Sequence, residues 1–552
     1  MKLVSGITRF LVGLLLANVA SMMAMTVMGF SSDRLGLVFG FLFVCSIAMA
    51  PLPRFELRWR PSRRDWLWSL LIVLFLMITV AFARFPYCYE GVVHQVSAGV
   101  TGDDAWHIQE IVSLVKSRQF PPLYGMFQRD YLLFYYAPWM MMGALFSCLP
   151  LSWASVKLAY ALGYGAYALL VVPCVFGLIG ATAGSRSQYW AMVFLVVGHA
   201  GMQSFNVLSF PLVSHENWMG HYHIYVQFSA FTTLLLWVMH HVLAALALVL
   251  AYRYLRQADP CKILAWREGV CIGGLAAFAL MSSPFVCLGA APLGVYALWV
   301  HRKWAFRQGL LSAFTMLVLV SPMIWMYLQK KSDFRFFFNI LAIFPTGWTV
   351  SNWVVSGLVF LILVVMEFSV PVALGVRMWR NKIQIQSEDR VLLTLAVLMV
   401  LSTFFVGYGI YNNYAMRASI LPVAIGLVTL GRYSDQLPVI PPGKLRKFVV
   451  FWCAIMILGS LNEIGAVWKQ SYHEWRLMQT PQSVRAMVYR VNHQGEAGDD
   501  RLRWRIETTN ASYYHLVERP LAFQFPYHEN DLDLVGPPPK GLWHRLDWQY
   551  SR

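Results

Sequence analysis

Apolar residues run in long blocks along this chain, and polar residues gather in the gaps between them. A transmembrane helix needs about 20 mainly apolar residues. Blocks of that kind fall near 8–30, 34–52, 66–84, 156–182, 188–208, 228–256, 309–328, 352–376, 391–410 and 448–465. The run 269–300 is long enough for two shorter helices broken near Ser282-Ser283-Pro284, and 418–431 spans if it extends toward Tyr433. The pattern predicts an all-α polytopic membrane protein with about thirteen transmembrane helices.

Composition agrees. The 552 residues are 58% hydrophobic and only 13% charged, whereas soluble domains carry about a quarter charged residues. A cytosolic enzyme, a disordered adaptor and a nucleic-acid-binding domain are all poor fits, despite the net charge of +17. The basic residues sit in short clusters between apolar blocks, as orientation signals do. Arg54, Arg58, Arg60, Arg63 and Arg64 form one such cluster, His301 to Arg307 another, and Arg377, Arg380 and Lys382 a third. The eight cysteines are scattered, with no CxxC, and act as small hydrophobes rather than a disulfide framework.

Placing the basic clusters in the cytoplasm puts the N-terminus inside and residues 85–155 outside as the first large loop. The apolar stretch 131–150, with Pro138 and Pro150, then lies on the outer membrane surface rather than crossing. Residues 1–465 form the membrane domain, and 466–552 a polar tail or small cap on the outer face.

The unusual polar residues collect on that outer face. Asp103 and Asp104 stand at the start of a predicted amphipathic helix in which Ile108, Ile111, Val112 and Val115 recur at helical spacing. One Asp suffices to cap such a helix. Asp103, His107 and Glu110 share one stripe, which leaves Asp104 on the membrane-facing side, where a carboxylate is costly without a task or partner. His215, Glu216, His221 and His223 form a second cluster, which suits a polar loop better than a metal site because the last two are only two residues apart. Lys330 and Lys331 make a basic outer patch able to hold lipid phosphate. Arg417 closes the polar turn Tyr411-Asn412-Asn413-Tyr414-Ala415-Met416-Arg417, either as a snorkelling anchor or as part of a lined cavity. His240-His241, inside the run 228–256, add an intramembrane ionisable pair.

Gly102-Asp103-Asp104-Ala105-Trp106-His107, then Phe120-Pro121-Pro122 and Tyr135-Tyr136-Ala137-Pro138, resemble the first outer loop of the GT-C superfamily of polytopic membrane glycosyltransferases. The turn Asn412 to Ser419 is similar to an Arg-bearing turn of predicted members. The resemblance implies a GT-C-like fold with outer-face surface helices in the first loop. It implies an enzyme of the cell envelope, in a bacterial inner (plasma) membrane, that moves a hexosyl or pentosyl group from a polyprenyl-phosphate donor. The acceptor is a glycan, lipid or protein on the periplasmic or extracellular face, and no nucleic acid is involved. Asp104, with Asp103 second, is then the general base. Arg417 is the phosphate partner, assisted by His107, His215, Glu216, His221, Lys330 and Lys331. No cofactor is certain, and a divalent metal on Asp103 stays open. A polysaccharide polymerase or ligase shares the lipid-linked substrate but leans on Arg and His rather than an Asp pair. A transporter or flippase places polar residues at mid-membrane and repeats its halves. A scaffold tolerates loss of both Asp residues.

Overall fold

The computed structural model describes most of residues 2–84, 136–199, 228–257, 266–328, 367–438 and 444–478, with short pieces between them. These residues are overwhelmingly helical. The chain opens with α1 (Lys2–Met28), α2 (Ser32–Met49) and α3 (Arg63–Arg84). Two short antiparallel ribbons follow, β1 (Pro86–Tyr89) with β2 (Val92–Gln95) and β3 (Leu123–Tyr124) with β4 (Phe127–Tyr131). A helical segment over 107–115 lies between them. A 3-10 turn, Ala137–Trp139, leads into α4 (Met140–Ser147). Then come α5 (Trp153–Thr182), α6 (Arg186–Val197), α7 (Phe231–Trp237), α8 (Met239–Gln257), α9 (Trp266–Ser282), α10 (Pro284–Val300) and α11 (Arg302–Leu328). A helix over 367–380 precedes α12 (Ser387–Ser402), α13 (Asn413–Ala418), α14 (Ile420–Arg432) and α15 (Lys444–Met478). A third ribbon joins β5 (Phe336–Phe338) to β6 (Val406–Tyr408).

Among the described residues, 5 helices are long and apolar enough to cross a membrane, or 6 if the bent pair α7–α8 counts as one span. The five are Val4–Met28, Arg63–Ala81, Ser155–Thr182, Tyr414–Gln436 and Val449–Lys469. The protein is a membrane protein by this measure. Exposure agrees, because Leu37, Phe41 and Val44 on α2, and Trp66, Leu67 and Leu70 on α3, face outward. Helices in lipid associate through close packing rather than through apolar burial, and glycines supply it here. A side chain on Gly13 would collide with Ile47 of α2, and one on Gly273 with the Ser312 backbone of α11.

One expectation is corrected. The block 228–256 is not one straight helix, because α7 and α8 meet at a bend of 119°. Val238 at the break leaves helical geometry (φ −136°, ψ 55°), and the freed Trp237 carbonyl accepts a hydrogen bond from the Tyr164 hydroxyl at 3.2 Å. The helix that carries the last apolar block runs past 465, since α15 continues to Met478. The described side chains of 107–115 (His107, Ile108, Glu110, Ile111, Val112, Leu114 and Val115) are buried, with Leu114 and Val115 against Gly143 of α4. Among the described residues of 131–150, the α-helix is the eight-residue α4, about 12 Å long and too short to cross a bilayer. The break near Ser282-Ser283-Pro284 stands as expected, between α9 and α10. The tail from 479 onward lies outside the described residues.

Acidic residues near the basic helix ends are tied down. The Asp65 carboxylate accepts from Arg186 Nε at 2.8 Å, Trp190 Nε1 at 2.9 Å and the Ser62 backbone N–H at 3.0 Å, clasping α3 to α6. Asp389 accepts from Arg432 and from the Tyr433 hydroxyl, and Asp435 from Ser185 and Ser187.

Candidate functional site

A short helical segment and three interruptions of helical structure meet in one buried place. They are the 107–115 segment, the Ala137–Trp139 turn, the α7–α8 bend and the α9–α10 break. Irregular backbone at membrane depth persists only where protein buries it or a cavity is lined by it, and each interruption here has a partner. Asn18, fully buried on α1, accepts the Met141 backbone N–H at 3.0 Å and so holds the start of α4. The Tyr167 hydroxyl donates to the Pro138 carbonyl at 2.7 Å. Trp139 is thereby fixed with its ring 4.3 Å from His107 and 5.7 Å from His240.

His107 and Glu110 lie one turn apart, with Nδ1 to Oε2 at 3.4 Å and both side chains within the protein. His240 and His241 open α8 immediately after the bend, with His240 5.4 Å from the His107 ring. His241 Nδ1 lies 2.9 Å from the Ser283 hydroxyl at the head of α10. Half-buried Arg417 lies in the last turn of α13, the helix that α10 crosses at Gly289. These residues share a depth. His240 and Ser283 lie about 24 Å along their helices from Arg256 and Arg267, and Arg417 about 22 Å from Arg432. In a hydrocarbon core of about 30 Å, that depth is close to the face opposite the basic helix ends.

Gly289 controls how Arg417 arrives there. α10 crosses α13 so closely that a Cβ on Gly289 would lie 1.8 Å from the Ala418 carbonyl oxygen and 2.8 Å from its Cα. Beside this crossing, an apolar groove of about 860 Å³ runs between α10 and α12, lined by Leu288, Val295, Trp299, Val391 and Leu395 and reaching Tyr414. Tyr414 is one turn from Arg417.

Of the residues singled out in sequence, His107 lies in this cluster and Arg417 in α13. Asp103, Asp104, His215, Glu216, His221, Lys330 and Lys331 lie outside the described residues. Trp139, Ser283 and Gly289 were not anticipated as site residues; His240-His241 were noticed only as an intramembrane pair. The signal for that pair was two adjacent imidazoles in an apolar run. Trp139 and Gly289 carry no local signal at all. Among the described residues no three His, Cys, Asp or Glu side chains are grouped to hold a metal ion, so a metal on Asp103 has no described set of partners. The chain matches no protein-family model, no curated protein and no solved structure.

Proposed function

We propose that the protein is an integral membrane glycosyltransferase of the GT-C kind. It moves a hexosyl or pentosyl group from a polyprenyl phosphate to an acceptor on the non-cytoplasmic face, within a domain of about thirteen spans and with a cytoplasmic N-terminus. One observation carries this reading: an apolar groove between α10 and α12 reaches Tyr414, one turn from Arg417. An amphiphile with a phosphate head and an isoprenoid tail fits that pairing, its tail along α10 and α12 and its head at Arg417.

The chemistry balances with this chain's own residues. The acceptor hydroxyl loses its proton to the Asp104 carboxylate as its oxygen bonds to the anomeric carbon. The bond from that carbon to the phosphate oxygen breaks, and its electron pair leaves on the phosphate. The Arg417 guanidinium, a planar fork suited to phosphate oxygens, holds the charge that develops there. Asp103 caps the helix start or shares the proton.

Transfer of a radiolabelled sugar from polyprenyl phosphate by the purified protein tests the reading. Asp104→Asn keeps the side-chain size and should lower turnover by about 10²–10⁴. Arg417→Lys should weaken turnover substantially, and Arg417→Ala more so, with expression near the parent. Parent-like turnover in all three variants would sink the proposal. The polymerase or ligase reading is favoured by one feature, the Arg and His character of the described site. It predicts that Asp104→Asn stays active while Arg417→Ala is lost.

A further inference from the structure

The apolar groove between α10 and α12 has two ends. One reaches Tyr414, a turn from Arg417 on α13. The other lies at Trp299 and Val391, where α10 is about to end and α12 has just begun. Leu288 and Trp299 stand 11 residues apart on α10, about 16 Å of helix. That is close to half of a hydrocarbon core of about 30 Å. The groove therefore has the length of one leaflet, the one at the basic helix ends. Leu288, Val295 and Trp299 along it are exposed.

Cations stand at the Trp299 end. The Arg302 guanidinium lies 4.9 Å from the centre of the Trp299 ring, and its Nη1 donates to the Trp299 carbonyl at 3.3 Å. This stack fixes an exposed positive charge one turn beyond the last lining residue of α10. Arg390, also exposed, directly precedes the lining residue Val391 on α12. The acids at the start of α12 are already engaged. Glu388 accepts from the Tyr252 hydroxyl at 2.6 Å and from Arg256 at 3.4 Å. Asp389 accepts from Arg432 at 2.8 Å and from the Tyr433 hydroxyl at 2.6 Å. Those carboxylates are thus neutralised by groups other than Arg302 and Arg390. Exposed Trp266 beside Arg267, and exposed Trp379 beside Arg380, repeat the pairing at other helix ends. Such rings settle at the headgroup level of a bilayer. An apolar slot one leaflet long, with fixed cations at headgroup level, is complementary to an acyl chain with an anionic head.

We propose that the Trp299 end of the groove is a binding site for an anionic phospholipid, its acyl chain between α10 and α12 and its headgroup phosphate at Arg302 and Arg390. The lipid comes from the leaflet at the basic helix ends, so its head lies at the opposite end of the groove from Arg417. The site goes beyond the glycosyltransferase reading and stands without it. An isoprenoid tail entering beside Arg417 would lie in the same slot, so the phospholipid competes with such a tail.

The test is native mass spectrometry of the purified full chain in detergent, titrated with dioleoylphosphatidylglycerol, zwitterionic dioleoylphosphatidylcholine, glycerol 3-phosphate or farnesyl phosphate. Phosphatidylglycerol should bind at least about fivefold more tightly than phosphatidylcholine, since each basic side chain near an anionic head contributes about that factor. Arg302→Gln should weaken phosphatidylglycerol by about fivefold and leave phosphatidylcholine unchanged. Arg302→Lys keeps the charge and should stay close to the parent. Combining Arg302→Gln with Arg390→Gln should abolish the preference. Ala291→Phe fills the groove from an exposed position on α10 and should weaken both lipids. Equal affinity of the parent for the two lipids, or a parent-like preference in the double variant, overturns the anionic head. Parent-like binding of both lipids by Ala291→Phe overturns the groove as the seat of the chain. Glycerol 3-phosphate binding as tightly as phosphatidylglycerol would make this a site for a soluble anion and overturn the lipid. Farnesyl phosphate binding that Arg302→Gln weakens as much as phosphatidylglycerol would assign this end to the carrier and overturn the phospholipid. Phosphatidylglycerol binding that needs Arg302, in a protein that transfers no sugar from polyprenyl phosphate, would keep this site and remove the glycosyltransferase reading.

Discussion

Gly289 is where one missing carbon decides the position of a charge. The α10 backbone touches the Ala418 carbonyl at this point, one residue beyond Arg417. Gly289→Ala must push α13 away or tilt it, since backbone cannot rotate aside as a side chain does. A displacement of about 1 Å at a reacting group costs about 10²-fold in rate, and that is the loss expected in sugar transfer. The protein should still fold, because Ala favours a helix more than Gly does. Unchanged transfer would mean that Arg417 does not have to sit where α10 places it. His107 is set differently, by Glu110 at 3.4 Å and the Trp139 ring at 4.3 Å. Glu110→Gln keeps the shape and removes the charge. It should lower transfer, because His107 loses the charge beside its Nδ1.

At the scale of elements, the bend between α7 and α8 is held from outside its own sequence. Tyr164→Phe deletes the hydroxyl that donates to the Trp237 carbonyl and leaves that carbonyl unpaired at the break. The expected cost is about 1 kcal/mol or somewhat more, read as a lower thermal midpoint in detergent, with lower sugar transfer because the start of α8 is freed. The α3–α6 clasp makes the contrasting case. Asp65→Ala leaves the Trp190 N–H without its acceptor and removes the cap of α3. It should lower stability by about 1–3 kcal/mol and leave sugar transfer unchanged, because Asp65 joins helix ends remote from the histidines. If Asp65→Ala lowers transfer and Tyr164→Phe does not, the assignment of the bend to the site is wrong.

For the whole molecule, the basic helix ends and the histidine cluster lie on opposite sides of the bundle. Cys148, exposed at the end of α4, is on the same side as the cluster. In right-side-out vesicles, a variant retaining only Cys148 should react with a membrane-impermeant maleimide. A single cysteine at Lys303 should react only after permeabilisation. The reverse pattern would invert the topology and place the polar cluster on the cytoplasmic face, where nucleotide sugars rather than lipid-linked ones are at hand.

Periodicity and charge alone determine that this chain lives in a membrane, because about 20 consecutive apolar residues have no other stable home. They also mark the α9–α10 break, because Pro284 has no backbone N–H to give the helical ladder. The His107–Glu110 stripe is equally local, set by the three-residue spacing of a helix turn. The bend at Val238 is not local. No Gly or Pro stands there, and a valine departs from helical geometry because Tyr164, 73 residues away, takes the carbonyl that the ladder gives up. The meeting of His107, Trp139, His241 and Ser283 is likewise a matter of which helices pack together. Packing in lipid turns on single close approaches such as Gly289 against Ala418, and a lone glycine in an apolar run does not announce which neighbour it admits.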